Sequence, residues 1–313
     1  MIAFTKQDPG LEPKVQADAP AADDRRRLDD DVILKAAASI GLLGGAAQGA
    51  AGVIAALCAP DTSAADVAAL ISRQPGLTAK VLRVANSAFY GRPRTVATIE
   101  RAVVVLGLDA VRGVAAAACL DRALPRARGD AAVEVDGLLR HSVAVAAAAE
   151  MLAKIRHRAL AGDAFMAGLL HDFGMLVQLR LEEEGVRAMF AAIRSDPSQD
   201  VRQLEGQSLS VGHAHCGAVI LEAWRLPAPL VAAASYHHTA ADAPAAYREL
   251  ASLIALGDVV ARRCGVGIAS ETAEEPFPEA VLGIVGLRAE DLDAVARELP
   301  ARTAALQRAF GPA

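Results

Sequence analysis

Aromatic residues are scarce in this chain: seven Phe, three Tyr and one Trp make up 4% of it. That scarcity argues against β-sheets, which favour aromatic and β-branched residues. It also removes the stacking platform that a binder of single-stranded nucleic acid needs. Cysteine is sparse too. Cys58, Cys119, Cys216 and Cys264 stand far apart and form no CxxC. A disulfide framework and a zinc ribbon are thereby excluded, and the four read as small buried residues in a reducing, cytoplasmic compartment. Positive charge is not in excess. The formal net charge of −5 excludes a chain that coats nucleic acid with its whole surface. The N-terminus has Lys6, Asp8 and Glu12 among prolines and no apolar core of a secretory signal. Residues 39–60 contain no charged side chain. That is long enough to raise the question of a membrane span, but Gly41, Gly44, Gly45, Gly49, Gly52 and Gln48 would make it insert poorly. A buried helix is expected there, and no membrane partner.

What is abundant is alanine, within a hydrophobic content of 53%. Alanine favours helices and lets them approach closely, so the fold class expected is all-α. Residues 1–30 lack periodicity and read as a mobile tail, with Arg25, Arg26 and Arg27 solvated. Residues 31–126 read as a bundle of short helices. Ser63 and Asp66 form a capping-box pattern, and the helix they start stops before Pro75 and Gly76. Another helix spans 77–86, and Ile99 to Leu106 ends at Gly107. The Pro- and Arg-containing stretch 125–135 is the best internal boundary. Beyond it, 135–265 holds longer helices: Val135 to Arg156, one capped by Asp163, Glu183 to Arg194, Gly212 to Trp224, Pro229 to His238 and Tyr247 to Arg263. An acidic, proline-marked linker over 271–278 leads to a helical extension at 278–312.

One local surface is basic. From Arg73 to Arg112, seven cations (Arg73, Lys80, Arg83, Arg92, Arg94, Arg101, Arg112) face two anions, Glu100 and Asp109, so 7 − 2 gives +5. Lys80, Arg83, Arg92, Arg94 and Arg101 are the candidate binding patch for phosphate or an acidic protein. Solvated arginines on the outside of apolar helices fit the same pattern.

The histidines carry the chemistry. Six of the seven follow one another on different predicted helices: His141, then His171 beside Asp172, then His213 and His215, then His237 and His238, with Asp258 after them. Helices that each present one or two nitrogen or oxygen ligands inward build a metal site in a bundle. Histidine with carboxylate suits Fe, Mn or a similar divalent transition metal. Each residue taken singly also fits a structural role, His141 as a core histidine and His237-His238 as a helix C-terminal cap. His157, between Arg156 and Arg158, reads as a surface residue.

Two long motifs resemble the HDOD domain, residues 69–91 (ALISRQPGLTAKVLRVANSAFYG) and 99–107 (IERAVVVLG). His213-Ala214-His215-Cys216-Gly217, Trp224-Arg225-Leu226-Pro227 and His237-His238 resemble it too. The resemblance spans roughly 33–263 and implies an N-terminal helical part packed on a bundle like that of HD-superfamily phosphohydrolases. The order of histidines resembles the HD-GYP branch of that superfamily. Carried over, it implies His141, His171, Asp172, His213, His237, His238 and Asp258 as metal ligands, with His213 preferred to His215 because Gly217 follows at the family's spacing. The chain departs from the family where Gln74 replaces Asp and where the run 41–52 lacks proline. It departs from active phosphohydrolases where Met175 replaces Lys and where Thr239-Ala240-Ala241-Asp242 replaces Gly-Tyr-Pro. Lys would stabilise charge on a transferring phosphoryl group, and Met cannot. The resemblance therefore implies a regulatory, signal-transducing bacterial protein with a degenerate site that binds a protein partner or a nucleotide ligand. The alternative is a metal-dependent phosphohydrolase or cyclic-nucleotide phosphodiesterase. Nucleic acid ranks last among partners.

Overall fold

The computed structural model describes residues 30–310 apart from 40, 60, 87–94, 124–129, 197, 198, 200 and 267–276. The expected tail, Arg92, Arg94, part of the 125–135 boundary and most of the acidic linker lie outside the described residues. Among the described residues all regular structure is helical. The helices of the first half are α1 (Asp30–Ser39), α2 (Gly45–Cys58), α3 (Ala64–Ser72), α4 (Pro75–Ala85), α5 (Ile99–Leu106) and α6 (Leu108–Ala123). The longest helix, α7 (Asp130–Arg156), follows, and then α8 (Ala161–Leu170), α9 (Phe173–Leu181), α10 (Glu183–Ser195) and α11 (Val201–Ser208). The remainder are α12 (His213–Ala223), α13 (Ala228–Tyr236), α14 (Arg248–Arg263), α15 (Glu279–Val285) and α16 (Ala289–Phe310).

Local chemistry explains the helix ends. Ser63 and Asp66 make the reciprocal capping box, with Ser63 N donating to Asp66 Oδ2 at 3.0 Å and Asp66 N to Ser63 Oγ at 3.2 Å. Helix α4 starts at Pro75, two residues before the expected Leu77, because proline at the first helical position has its φ preset and needs no N–H partner. Helix α7 starts at Asp130, inside the expected boundary. Asp163 does not cap α8: the cap position is Leu160, and Asp163 lies within the first helical turn. Asn86 has a role the sequence did not reveal. Its amide donates to Leu82 O and Val96 O, both at 2.8 Å, and accepts from Val96 N at 2.7 Å. One side chain thus ties the end of α4 to the residues that lead into α5.

The core is centred on α7. Ala144, Ala146, Ala147, Ala148 and Ala149 are wholly buried, and α8, α14 and α16 pack around them. The approach is close because glycines face α7. A methyl added at Gly168 of α8 would lie 2.7 Å from Ala146 Cα, and one at Gly257 of α14 would lie 3.1 Å from Ala149 N. Helix α16, the expected extension, packs on α7, α14 and α4. Its Arg302 pairs with the buried Glu150 of α7, which Lys154 also meets. In the first half, α1 lies on α12 and α2 on α6, and Trp224 Nε1 donates to Leu42 O at 3.0 Å.

By length and composition, the stretch Arg158–Leu179 is long and apolar enough to cross a membrane, and 83% of its most apolar window is buried inside the protein. The pair α5 and α6 passes the same test together but is bent by 119°. The charge-free run holds a shorter apolar helix, Ala47–Cys58.

Candidate metal centre

The turn between α8 and α9 organises the site. Helix α8 ends at Leu170, His171 follows as its cap, and Asp172 is the cap of α9. One helix therefore ends at this pair and a second starts directly after it. The break lets both side chains point to one place. Helix α7 supplies His141, the start of α12 supplies His213, the end of α13 supplies His237 and His238, and α14 supplies Asp258.

These donors form two clusters, one of His141, His171 and Asp172, the other of His213, His237 and His238. Within each, one donor atom per residue lies within 4.8 Å of the others. Asp172 joins the clusters by dividing its two oxygens. Its Oδ2 is 3.2 Å from His171 Nε2 and 3.7 Å from His141 Nε2. Its Oδ1 is 3.3 Å from His213 Nε2 and 3.4 Å from His237 Nε2. Asp258 Oδ1 adds to the first cluster, 3.1 Å from His141 Nε2.

The imidazoles are oriented from behind. His141 Nδ1 is 2.9 Å from Val266 O, His171 Nδ1 2.8 Å from Gly168 O, and His237 Nδ1 2.8 Å from Ala234 O. A carbonyl accepts only, so each Nδ1 must carry the proton and donate it. Each Nε2 lone pair then faces inward, as a metal ligand's must. His213 Nδ1 meets a carboxylate instead, Glu205 Oε1 at 2.7 Å.

The donor set fits a cation. His213 Nε2 lies 3.1 Å from His237 Nε2 and 3.0 Å from His238 Nε2. Lone pairs that close repel unless a positive charge stands among them. Nitrogens bound to one ion at about 2.0–2.1 Å are spaced in this way. Without a metal, a proton takes the place. Burial alone would push His213 down, but the Glu205 carboxylate and then Asp172 outweigh it and raise the imidazole to about 9. His237 is lowered by burial, and His238 is held well below the usual histidine range by burial and by His237 and His213 beside it. The three Nε2 atoms therefore share one proton, on His213. In the other cluster burial also opposes the charged form of His141, and the bonded Asp258 raises it. Both carboxylates stay ionised. Burial works against that, but His171 holds Asp172 well below the usual range, and Arg262 with His141 does the same for Asp258. Arg262 Nη2 is 3.2 Å from Asp258 Oδ2.

This geometry sets a pH dependence for metal uptake. At pH 7 the proton on His213 must leave before a metal can bind. Apparent affinity is thus expected to rise about tenfold per pH unit between 7 and 9 and to level off above the His213 value. Titration with Zn²⁺ at stepped pH in two buffers of different ionisation enthalpy measures the proton released. A flat profile across that range would contradict the assignment.

Some candidates do not join the site. His215 is exposed and pairs with Asp30 of α1 at 3.0 Å. His157 is not the free surface residue expected. It is mostly buried, with Nε2 2.7 Å from Val285 O of α15 and Nδ1 3.4 Å from Glu249 Oε2. Of the basic patch, Lys80 and Arg83 lie on α4 and Arg101 on α5, and Arg83 and Arg101 are exposed. Two participants were missed from the sequence. Arg262 sits four residues after Asp258. Glu205 lies on α11, a helix the pattern did not reveal. Its signal was a carboxylate on the same face as Val201 and Leu204, where a residue turned to solvent would not be.

The chain is similar to known proteins over most of its length. The profile of the HDOD domain matches residues 47–240. An uncharacterised protein of Treponema pallidum (strain Nichols) is 28% identical over 232 residues, covering 74% of this chain and 44% of that protein. This chain thus spans less than half the length of that relative. Among solved structures, one from Marinobacter aquaeolei VT8, named as a candidate signal transduction protein, is 26% identical with a TM-score of 0.71, over 91% of this chain and 66% of that one. An HDOD domain protein of unknown function from Geobacter sulfurreducens is 21% identical, with a TM-score of 0.69 over 90% and 98%. One from Shewanella amazonensis SB2B, named as a candidate phosphohydrolase, is 23% identical, with a TM-score of 0.67 over 89% and 98%. The last two share the fold.

Proposed function

Because this chain belongs to the HDOD family, we propose that it is a cytoplasmic signal-transduction module that holds divalent transition metal in its bundle and acts by binding a protein partner. The observation that carries this reading is a donor set assembled in the interior, with His238 alone of the seven partly exposed. The side chains of His213 and His237 are 0% exposed, and those of Asp172 and Asp258 only 9% and 10%. A phosphodiester needs open positions beside the metal, and this burial leaves it little path. The residue three beyond Asp172 is Met175, itself buried, where a cation would serve a transferring phosphoryl group. Thr239 to Asp242 make a short 3-10 turn that offers no added cation. A cytoplasmic setting is supported by Cys58, Cys119, Cys216 and Cys264, which form no disulfide with one another. Burial pushes the Cys58 and Cys216 thiols up to about 12, so they are unreactive fillers.

His141, His171, Asp172 and Asp258 would hold one ion, and His213, His237, His238 and Asp172 the other. When bound, such ions supply charge that organises a bundle core or polarises a phosphoryl oxygen. The chain's own residues orient the donors and exclude water. A second reading, metal-dependent phosphohydrolase, is favoured by the way Asp172 divides its oxygens between two pockets, as paired-ion sites require. Elemental mass spectrometry of the purified chain, followed by assay of the metal-loaded protein on bis(p-nitrophenyl) phosphate and on cyclic dinucleotides, separates the two. The expected result is one or two equivalents of metal and no turnover. Turnover that disappears in Asp172→Asn would replace the first reading by the second.

A further inference from the structure

The two pockets are built from the same residue types but backed by opposite charges. Behind His213 stands Glu205, a buried carboxylate on α11. Its Oε1 accepts from both the backbone N of His213, at 2.8 Å, and its Nδ1, at 2.7 Å. His141, His171 and His237 donate instead to neutral carbonyls. Behind Asp258 stands a cation, Arg262, at 3.2 Å. An anion behind a ligand raises its electron density toward a metal, whereas a cation beside a carboxylate draws on the same charge the metal needs.

We infer that the pockets fill in order, that of His213, His237 and His238 first and that of His141, His171 and Asp258 second, and that Glu205 is the positioning residue that sets this order. The inference rests on the proposed metal-holding role of the two pockets. Glu205 also pins the first residue of α12, so it fixes the ring and its tautomer together. Its contribution is specific to one pocket, because none of its bonds reach the other. Once the first ion is bound, its charge reaches the second pocket through the shared Asp172, which widens the gap between the two affinities.

Titrating metal-free full-length protein with Co²⁺ at a pH above the plateau of metal uptake, where no ring proton competes, tests this, since the visible bands report coordination and chelator competition reports affinity. The wild type is expected to fill in two steps. Glu205→Gln keeps an acceptor oxygen but no charge and should weaken the first step by about 10-fold, and Glu205→Ala by about 100-fold, the range found for partners of metal-bound histidines. The second step should follow only as far as it depends on the first. Arg262→Gln should leave the first step unchanged and strengthen the second. If Glu205→Ala does not fold, as circular dichroism would show, Glu205→Gln alone decides. Two indistinguishable steps in the wild type, or a first step unmoved in Glu205→Gln, overturn the inference and leave the metal-holding role standing. No Co²⁺ uptake by the wild type overturns both.

Discussion

Replacing Asp172 with alanine is expected to empty both proposed metal pockets at once. Among the described residues it is the carboxylate that faces both clusters, with Oδ2 toward His141 and His171 and Oδ1 toward His213 and His237. Loss of an outer partner behind a ligand costs about 10–100-fold in affinity, and loss of a shared ligand should exceed that in each pocket. The variant is therefore expected to purify with background metal under conditions that load the wild type. Asp172→Asn separates charge from shape. It retains the volume and one acceptor oxygen but cannot offset the charge of an ion, so it should lose metal nearly as completely. In the metal-free state both variants also remove a carboxylate that holds the His213 proton, so His213 should titrate at lower pH. Elemental analysis beside imidazole NMR reads both effects. Wild-type metal content in Asp172→Asn would show that the two clusters bind independently of their bridge.

A methyl group at Gly174 will break the same site from a distance. Gly174 lies where α9 crosses α12, and an added Cβ would fall on the His213 carbonyl oxygen and 2.7 Å from Gly217 N. Both obstacles are backbone, so relief requires the helices to part. His213 begins α12 and would move with it, away from Asp172, His237 and Glu205. Overpacking of this kind costs about 1–3 kcal/mol and occasionally more. For a chain of this size that is a fall in melting temperature of roughly 2–5 °C. Gly174→Ala is thus expected to lower both stability and metal affinity. Gly137→Ala is the control, because an added Cβ there meets nothing within 4 Å. It should leave metal content unchanged and be neutral or slightly stabilising. If Gly174→Ala melted with the wild type and kept its metal, the crossing would not be as tight as the structure describes.

The sequence by itself determined the all-helical class, the capping box at Ser63 and the order of histidines. These are legible because helix propensity, caps and hydrophobic period act over a few residues. Alanine richness announced close packing, but not that the run of 144–149 in α7 would be its centre, with Gly168 and Gly257 laid against it. Only the tertiary structure decided that seven side chains from five separate stretches converge, because their distance in space depends on helix crossings hundreds of atoms apart in the chain. His213, already preferred to His215 on the resemblance, points into the core, while its neighbour turns to Asp30. The turn of His157 onto α15 was likewise decided only by the tertiary structure. Glu205 is the plainest case. Eight residues before His213, on a short helix with little periodic signal, its place on the face of Val201 and Leu204 is a faint local hint that it is not a solvated glutamate. Its meaning comes from burial, and burial is a property of the assembled molecule.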